Sequence, residues 1–179
     1  PKSGNPHEVY YCICWVQVNN KDVKTWQDAA YRVLLDKVPD GDPELLRRMA
    51  IWKRPKKATK LLRRAIGSDD PERVAAGWDG LLLVDEEDAR KRIGKALSSV
   101  QTDRKRGRFG DAYLTLSGLA GITYDRLLAV QPGILRTEVE LAAEAALEEI
   151  RALPADEQPR KLADFRKRCY GMPVLKTLD

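Results

Sequence analysis

The chain has few residues of the kinds that build disulfide frameworks and metal centres: three cysteines and one histidine among 179 residues. Three unevenly spaced cysteines argue against a secreted, disulfide-stapled domain, so we expect a reducing compartment. A zinc site is an open alternative, although Cys-x-Cys inside an apolar stretch fits poorly with the paired knuckles of structural zinc sites. Its ligands would be His7, Cys12, Cys14 and Cys169. We expect buried thiols instead, and no cofactor.

Long apolar runs are also missing. No stretch approaches the roughly 20 apolar residues of a membrane span, and no basic start followed by an apolar stretch indicates a signal peptide. Hydrophobic residues make up 43% of the chain and charged residues 33%, which is too apolar for wholesale disorder. The length is typical of one domain. We therefore expect a cytoplasmic protein without a membrane partner, folded as one compact domain over residues 1–179.

Sequence motifs for catalysis are absent as well. The chain contains no phosphate-binding G-x-x-x-x-G-K-S/T loop, no G-x-G-x-x-G and no G-x-S-x-G. The densest group of carboxylates, which could hold a metal for a hydrolytic activity, comprises Asp79, Asp85, Glu86, Glu87 and Asp88. Four of these are successive residues that do not converge on one point of a helix, and they fit better as an acidic helix start. We expect a protein that is not an enzyme.

One segment indicates a β-strand. Residues 9–18 read VYYCICWVQV, which is rich in aromatic and β-branched residues and is followed by two asparagines. Residues 81–84 (LLLV) and 112–117 (AYLTLS) are the only other candidates for strands that could pair with it. Pairing with the same strand of another copy, or with a protein partner, is the alternative. The sequence thus predicts a minor N-terminal β element, with α+β as the alternative fold class.

The rest of the chain predicts a mainly α fold with about eight helices. Capping residues, prolines at first helical positions and terminal glycines mark their boundaries. We expect a basic linker over residues 101–110. The predicted helices run near residues 25–38, 43–54, 56–66, 85–98, 135–153 and 156–169, and a further helix is predicted to begin at residue 71.

Charges of opposite sign are segregated along the chain. Residues 47–64 carry nine positive side chains and no negative one, residues 90–108 carry eight positive ones against Asp103, and residues 138–157 hold seven carboxylates. A block of like charge suggests a partner that supplies the counter-charge, and nucleic acid is the simplest such partner. The residues that we expect to contact phosphates are Arg47, Arg48, Lys53, Arg54, Lys56, Lys57, Lys60, Arg63, Arg64, Arg90, Lys91, Arg92, Arg104, Lys105 and Arg106.

A helix-turn-helix is one way in which this protein would read DNA. Residues 112–119 and 123–130 flank a turn that contains Gly121. In this interpretation Thr123 caps the second helix, and Arg126 and Gln131 reach base edges. The residues expected to point inward and hold the two helices together are Leu116, Ala120, Ile122, Leu127 and Val130.

Two other interpretations stand beside it. One is a helical subunit of a nucleoprotein assembly, binding DNA or RNA without reading sequence. The other is a helical protein-interaction module with separate basic and acidic faces.

Overall fold

The computed structural model of the chain describes residues 43–50 and 55–178. Within these residues the fold is mainly α, as the sequence predicts, and contains no strand. The predicted strand over residues 9–18 and the predicted helix over residues 25–38 lie outside the described residues. The helices, in chain order, are α1 (Pro43–Ala50), α2 (Pro55–Ile66), α3 (Pro71–Val84), α4 (Glu86–Lys105), α5 (Phe109–Ala120), α6 (Arg126–Arg151) and α7 (Gln158–Arg168), followed by a 3₁₀-helix (Pro173–Thr177).

Two helix starts that were predicted from local capping signals are confirmed. The Asp70 carboxylate accepts a hydrogen bond from the backbone N–H of Glu72 at 3.0 Å, directly before Pro71. The Asp85 carboxylate accepts one from the N–H of Asp88 at 3.1 Å at the start of α4. Each carboxylate satisfies an N–H that has no partner within the helix and lies at the positive end of the helix dipole.

Helix α3 is the central element, and it corrects one of the strand predictions. Nine consecutive residues from Val74 to Leu82 are buried, so the helix is covered on all sides. A helix buried all round has no polar face, and its sequence loses the 3.6-residue periodicity that identifies surface helices. Residues 81–84 therefore resembled a short strand, although they form the last turn of α3.

Glycine lets α3 approach α2 closely. A Cβ atom at Gly77 would lie 2.9 Å from both the Leu62 carbonyl oxygen and Cγ1 of Ile66, so a larger residue would push the two helices apart. The other strand prediction, residues 112–117, is also wrong, because this segment lies inside α5. There Gly118 packs against Val74, whose Cγ1 would be only 2.3 Å from an added Cβ. Close helix packing, rather than a turn or a bulge, explains these glycines.

The buried side chains form two main clusters. The first core cluster joins α3, the beginning of α4 and the end of α5, and it comprises Val74, Trp78, Leu81, Leu82, Ala89, Ile93, Leu119 and Ile122. The second core cluster joins the end of α4 to α5, α6, α7 and the 3₁₀-helix, and it comprises Val100, Ala112, Leu116, Val139, Ala143, Leu147, Phe165, Cys169, Met172 and Val174. Helix α4 contributes to both clusters, and this fixes which of its faces is turned away from the protein.

Two segments differ from the sequence prediction in the second half of the chain. Helix α4 continues to Lys105, so the predicted basic linker over residues 101–110 shortens to residues 106–108. Helix α6 begins at Arg126, nine residues before its predicted start, and it passes through Pro132. A proline at the seventh residue of a helix removes one backbone hydrogen bond, and α6 nevertheless continues through Pro132, whose side chain is buried. None of the helices described is both long and apolar enough to cross a membrane.

Candidate nucleic-acid interface

Helix α4 presents a regular row of side chains to solvent. Ala89, Ile93 and Val100 face the two core clusters and are buried. The opposite side carries exposed residues at helical spacing, namely Lys91, Lys95, Ser98, Thr102 and Lys105. We call these five residues the α4 ridge. The ridge has three positive charges and no negative one.

The lysines of the α4 ridge are exposed and have no carboxylate partner among the described residues. None of the three lysines, Lys91, Lys95 and Lys105, makes an ion pair within residues 43–50 and 55–178. Ser98 and Thr102 direct their hydroxyls back to helix carbonyl oxygens at positions 94 and 98, at 3.0 and 3.3 Å. A rise of 1.5 Å per residue places Lys105 about 21 Å from Lys91 along the helix axis. This length corresponds to roughly six base steps of one nucleic-acid strand.

The two basic segments of the sequence meet at one carboxylate. Asp88, in the first turn of α4, accepts hydrogen bonds from Arg92 Nε at 2.7 Å and from an Arg63 guanidinium N–H of α2 at 3.0 Å. The hydrogen bonds from Arg92 and Arg63 lower the pKa of the Asp88 carboxyl below its ordinary value. The end of α2 and the beginning of α4 therefore border each other. Exposed Lys60 and Arg64 of α2 have no ion-pair partner in the described part of the chain.

Several predicted phosphate ligands have carboxylate partners within the fold. Arg90 donates to Glu86 at 2.8 Å and to Asp125 at 3.0 Å, and these hydrogen bonds raise its pKa. Arg104 lies 3.1 Å from Glu138 of α6. A guanidinium has five N–H donors, so one or two such bonds leave others for solvent or a ligand. These arginines nevertheless neutralise acidic side chains between helices, a role that needs no ligand.

Arg47 is the basic residue most firmly committed to the fold. Its Nε–H donates to Oδ2 of Asp79 at 2.8 Å, and the Asp79 side chain is only 3% exposed. Oδ1 of Asp79 also accepts the backbone N–H groups of Thr123 and Tyr124, at 2.7 and 2.8 Å, and Oδ2 accepts the Thr123 hydroxyl at 2.8 Å. One buried carboxylate thus joins α1 and α3 to the turn between α5 and α6.

For the remaining predicted residues, the structure fixes only positions along the chain. Arg48, Lys56 and Lys57 belong to α1 and α2, whereas Lys53 and Arg54 lie outside the described residues. Arg106 follows α4 directly and is exposed. Lys95 and the basic residues of α7 are not among the residues predicted to contact phosphates. Helix α7 carries Arg160, Lys161, Arg166, Lys167 and Arg168 against one aspartate, and Arg168 Nε donates to the Gly107 carbonyl just beyond α4 at 2.8 Å.

The helix-turn-helix interpretation needs two corrections, which concern the capping residue and two of the residues expected to point inward. Asp125 caps α6 by accepting the Leu127 N–H at 3.1 Å, while Thr123 binds Asp79. Leu127 is 84% exposed and Val130 57% exposed, so they do not hold the two helices together. Arg126 and Gln131 are exposed, as predicted. The start of α6 therefore presents an apolar surface where a reading helix needs polar side chains.

The carboxylates that we considered as metal ligands do not converge. Asp79 is buried among four donors, Asp85 caps α4, and Glu86 and Asp88 pair with arginines. Within the described residues no three histidine, cysteine, aspartate or glutamate side chains are grouped so that they could hold a metal ion. Cys169 is fully buried in the second core cluster, where burial raises the pKa of its thiol to about 11. The other three residues of the open zinc alternative lie outside the described residues.

A cavity of about 530 Å³ lies between α4, α5 and the turn after α2. Trp78 and Leu114 supply apolar wall, and Asp103, Asp111 and Tyr170 supply polar wall. The buried Asp103 accepts a hydrogen bond from Arg108, and the Tyr170 hydroxyl donates to Asp111 at 2.6 Å. The bond to Asp111, together with burial, raises the pKa of Tyr170 to about 12. These polar groups bind one another, so the cavity gives no sign of the ligand that it would take.

Comparisons with known proteins add no assignment. No protein-family model, no curated protein and no solved structure matches this chain. The candidate function therefore rests on the physical properties of the surface.

Proposed function

We propose that this protein is a non-enzymatic nucleic-acid-binding protein that contacts phosphates with the α4 ridge and the adjoining end of α2. The observation that carries the proposal is the row of three lysines on α4, which make no ion pair in the described part of the chain and have no carboxylate among them. Lysine ammonium groups are compact charges that bind phosphates without a fixed geometry. Each phosphate that they neutralise releases condensed counterions, and this release drives binding.

The ridge favours backbone binding over sequence reading. Its polar residues other than lysine are Ser98 and Thr102, whose hydroxyls are bonded to the helix backbone. Bidentate recognition of bases relies on arginine, asparagine and glutamine side chains, and the ridge has none of these. We therefore favour a helical subunit of a nucleoprotein assembly over a helix-turn-helix regulator.

The first experiment is fluorescence anisotropy with labelled duplex DNA, single-stranded DNA and RNA at several salt concentrations. We expect micromolar or tighter binding that weakens steeply with salt and varies little with sequence. The rank order of the three probes identifies the preferred nucleic acid. If every probe stays free at about 100 mM salt and tens of micromolar protein, the proposal is wrong.

A charge-matched pair of variants locates the interface. Replacing Lys91, Lys95 and Lys105 by glutamine should weaken binding about tenfold on all sequences and reduce the salt slope on duplex DNA by up to about 2.7, or 0.9 per lost contact. The control replaces three other exposed basic residues, Arg160, Lys161 and Lys176, by glutamine. Both variants lower the net charge of +5 by three. Equal losses in the two variants would show that net charge, and not the α4 ridge, determines binding.

A protein-interaction module is the second candidate function, and the acidic second half of α6 favours it. Exposed Glu144, Glu148 and Glu149 lie on this half, well separated from the α4 ridge along the chain. Complementary surfaces of this kind steer association between proteins. This candidate function predicts that the protein has no measurable affinity for nucleic acid in the anisotropy experiment.

A further inference from the structure

Helix α6 has apolar residues on two opposite faces. One face carries Val139, Ala143 and Leu147, which are buried in the second core cluster. The other face carries four large apolar residues that are 84%, 57%, 59% and 60% exposed, in the order Leu127, Val130, Ile134 and Leu141. We call these four residues the α6 stripe. Their spacing of three, four and seven residues keeps them on one side of a helix.

Single exposed apolar residues are ordinary on a protein surface, whereas four large ones on one side of a helix are typical of a contact site. Burying the four side chains on two copies would remove on the order of 1,000 Å² from solvent, the size at which an interface becomes specific. We propose that the α6 stripe is a dimer interface, in which α6 packs antiparallel against α6 of a second copy.

The layout of the stripe fits a two-fold axis that passes beside Ile134. Leu127 lies seven residues before Ile134 and Leu141 seven residues after it. A two-fold axis perpendicular to α6 reverses the helix direction, so Ile134 meets Ile134 of the second copy. The same rotation places Leu141 of the second copy opposite Leu127. A two-fold contact uses one surface patch twice, and this patch complements itself.

Charges beside the stripe fit the same arrangement. Arg126 and Glu144 are 18 residues apart, which is five full turns of 3.6 residues, so both lie along the same flank of α6. Both are exposed, and neither makes an ion pair in the described part of the chain. The two-fold rotation preserves the flank and exchanges the helix ends. It therefore brings Arg126 of each copy next to Glu144 of the other, forming two intermolecular pairs.

The test measures the mass of the full-length chain by sedimentation equilibrium from about 1 to 200 μM. We expect a concentration-dependent rise from 20.2 kDa towards twice that mass. Leu127→Glu and Ile134→Glu should each weaken dimerisation at least about 100-fold, because each substitution places a charge in the interface twice. The matched control is Leu83→Glu, which alters an exposed apolar residue of α3 and should leave the dimer intact.

A charge swap tests the antiparallel geometry independently of the apolar contacts. Arg126→Glu or Glu144→Arg alone should weaken the dimer about tenfold, because each creates two like-charge contacts. The chain with both substitutions should recover the original affinity. A monomer at every concentration, or a dimer that ignores Leu127→Glu and Ile134→Glu, overturns the proposal. A double swap that fails to recover overturns the antiparallel pairing. Nucleic-acid affinity is measured separately, so its absence leaves this result unchanged.

Discussion

The two longest helices, α4 and α6, use their inner faces in the same way and their outer faces in opposite ways. Each packs apolar residues against the second core cluster: Val100 from α4, and Val139 and Leu147 from α6. Outside, α4 carries the lysines of its ridge, whereas α6 carries the four apolar residues of its stripe. The inner face of each helix determines where it packs, and we propose that the outer face determines which partner it meets.

The two outer faces also differ in the partners that they suit. Lysines in water attract a polyanion over about a Debye length, roughly 10 Å at 0.1 M salt, and the attraction weakens as salt rises. Apolar side chains attract only on contact, and salt does little to weaken them. Raising the salt concentration should therefore dissociate a nucleic-acid complex before it dissociates an α6 dimer.

The largest expected effect removes the carboxylate that positions the start of α6. Asp79→Ala leaves the Thr123 and Tyr124 N–H groups and the Arg47 guanidinium without their acceptor. We expect the free energy of unfolding to fall by about 4 kcal/mol, measured by urea denaturation. The control Asp164→Ala, at an exposed position of α7, should change it by no more than about 0.7 kcal/mol. Similar losses of unfolding free energy in the two variants would contradict the structural role of Asp79.

Two leucines on opposite faces of α6 sharpen the contrast between its inner and outer surfaces. Leu147 is 3% exposed and Leu141 is 60% exposed. Leu147→Ala should lower the free energy of unfolding by about 3 kcal/mol, because it leaves a cavity in the second core cluster. Leu141→Ala should change it by less than about 0.5 kcal/mol in urea denaturation at submicromolar protein. A large loss at Leu141 in dilute solution would place its side chain in the core of the monomer.

Alkaline pH should destabilise the second core cluster, to which both α4 and α6 contribute. The thiol of Cys169 has an ordinary pKa of 9.0 and a folded pKa of about 11, so deprotonation favours the unfolded chain. Stability from this group is complete below pH 9 and is lost as the pH rises towards 11. Between pH 8 and pH 10 we expect a loss of about 1.3 kcal/mol relative to Cys169→Ala, measured by urea denaturation under reducing conditions. Parallel pH profiles of the two proteins would contradict this.

The smallest effects compare one glycine on each long helix. Added Cβ atoms at Gly94 of α4 and Gly133 of α6 would meet nothing within 4 Å. Alanine restricts the unfolded chain and favours the helix, so Gly94→Ala and Gly133→Ala should each raise the free energy of unfolding by about 0.5–1 kcal/mol. Thermal denaturation at low protein concentration measures this. A destabilised variant would show that its site is more crowded than the structure indicates.

The sequence predicted best what neighbouring residues decide. Asp70 and Asp85 start helices by binding N–H groups two and three residues away, and such signals are visible locally. Lys91 and Lys105 were singled out from the charge of the residues around them, whereas Lys95 was not. The strand prediction for residues 81–84 was wrong because α3 is buried on all sides over most of its length, which removes the periodicity that distinguishes a helix from a strand.

Contacts between residues that are distant along the chain could not be predicted from the sequence. Thr123 was expected to cap a helix, but it binds Asp79, 44 positions earlier in the chain. Arg63 was expected to contact phosphate, and the contact that it makes with Asp88, 25 positions later, was not predicted. Leu127 and Val130 were expected to point inward because they are apolar, and a second apolar face on one helix gives the same pattern. Only the packing of α6 tells its two faces apart.

The two core clusters differ in when the growing chain can complete them. All the buried residues of the first core cluster lie between Val74 and Ile122, whereas the second core cluster extends to Val174. Chains are synthesised from the N-terminus at about 5–20 residues per second. The buried residues of the first core cluster are therefore all present about 3 to 10 seconds before the last residue of the second is added. During this interval the early helices can already pack, while the inner face of α6 still lacks the residues of α7 that will cover it.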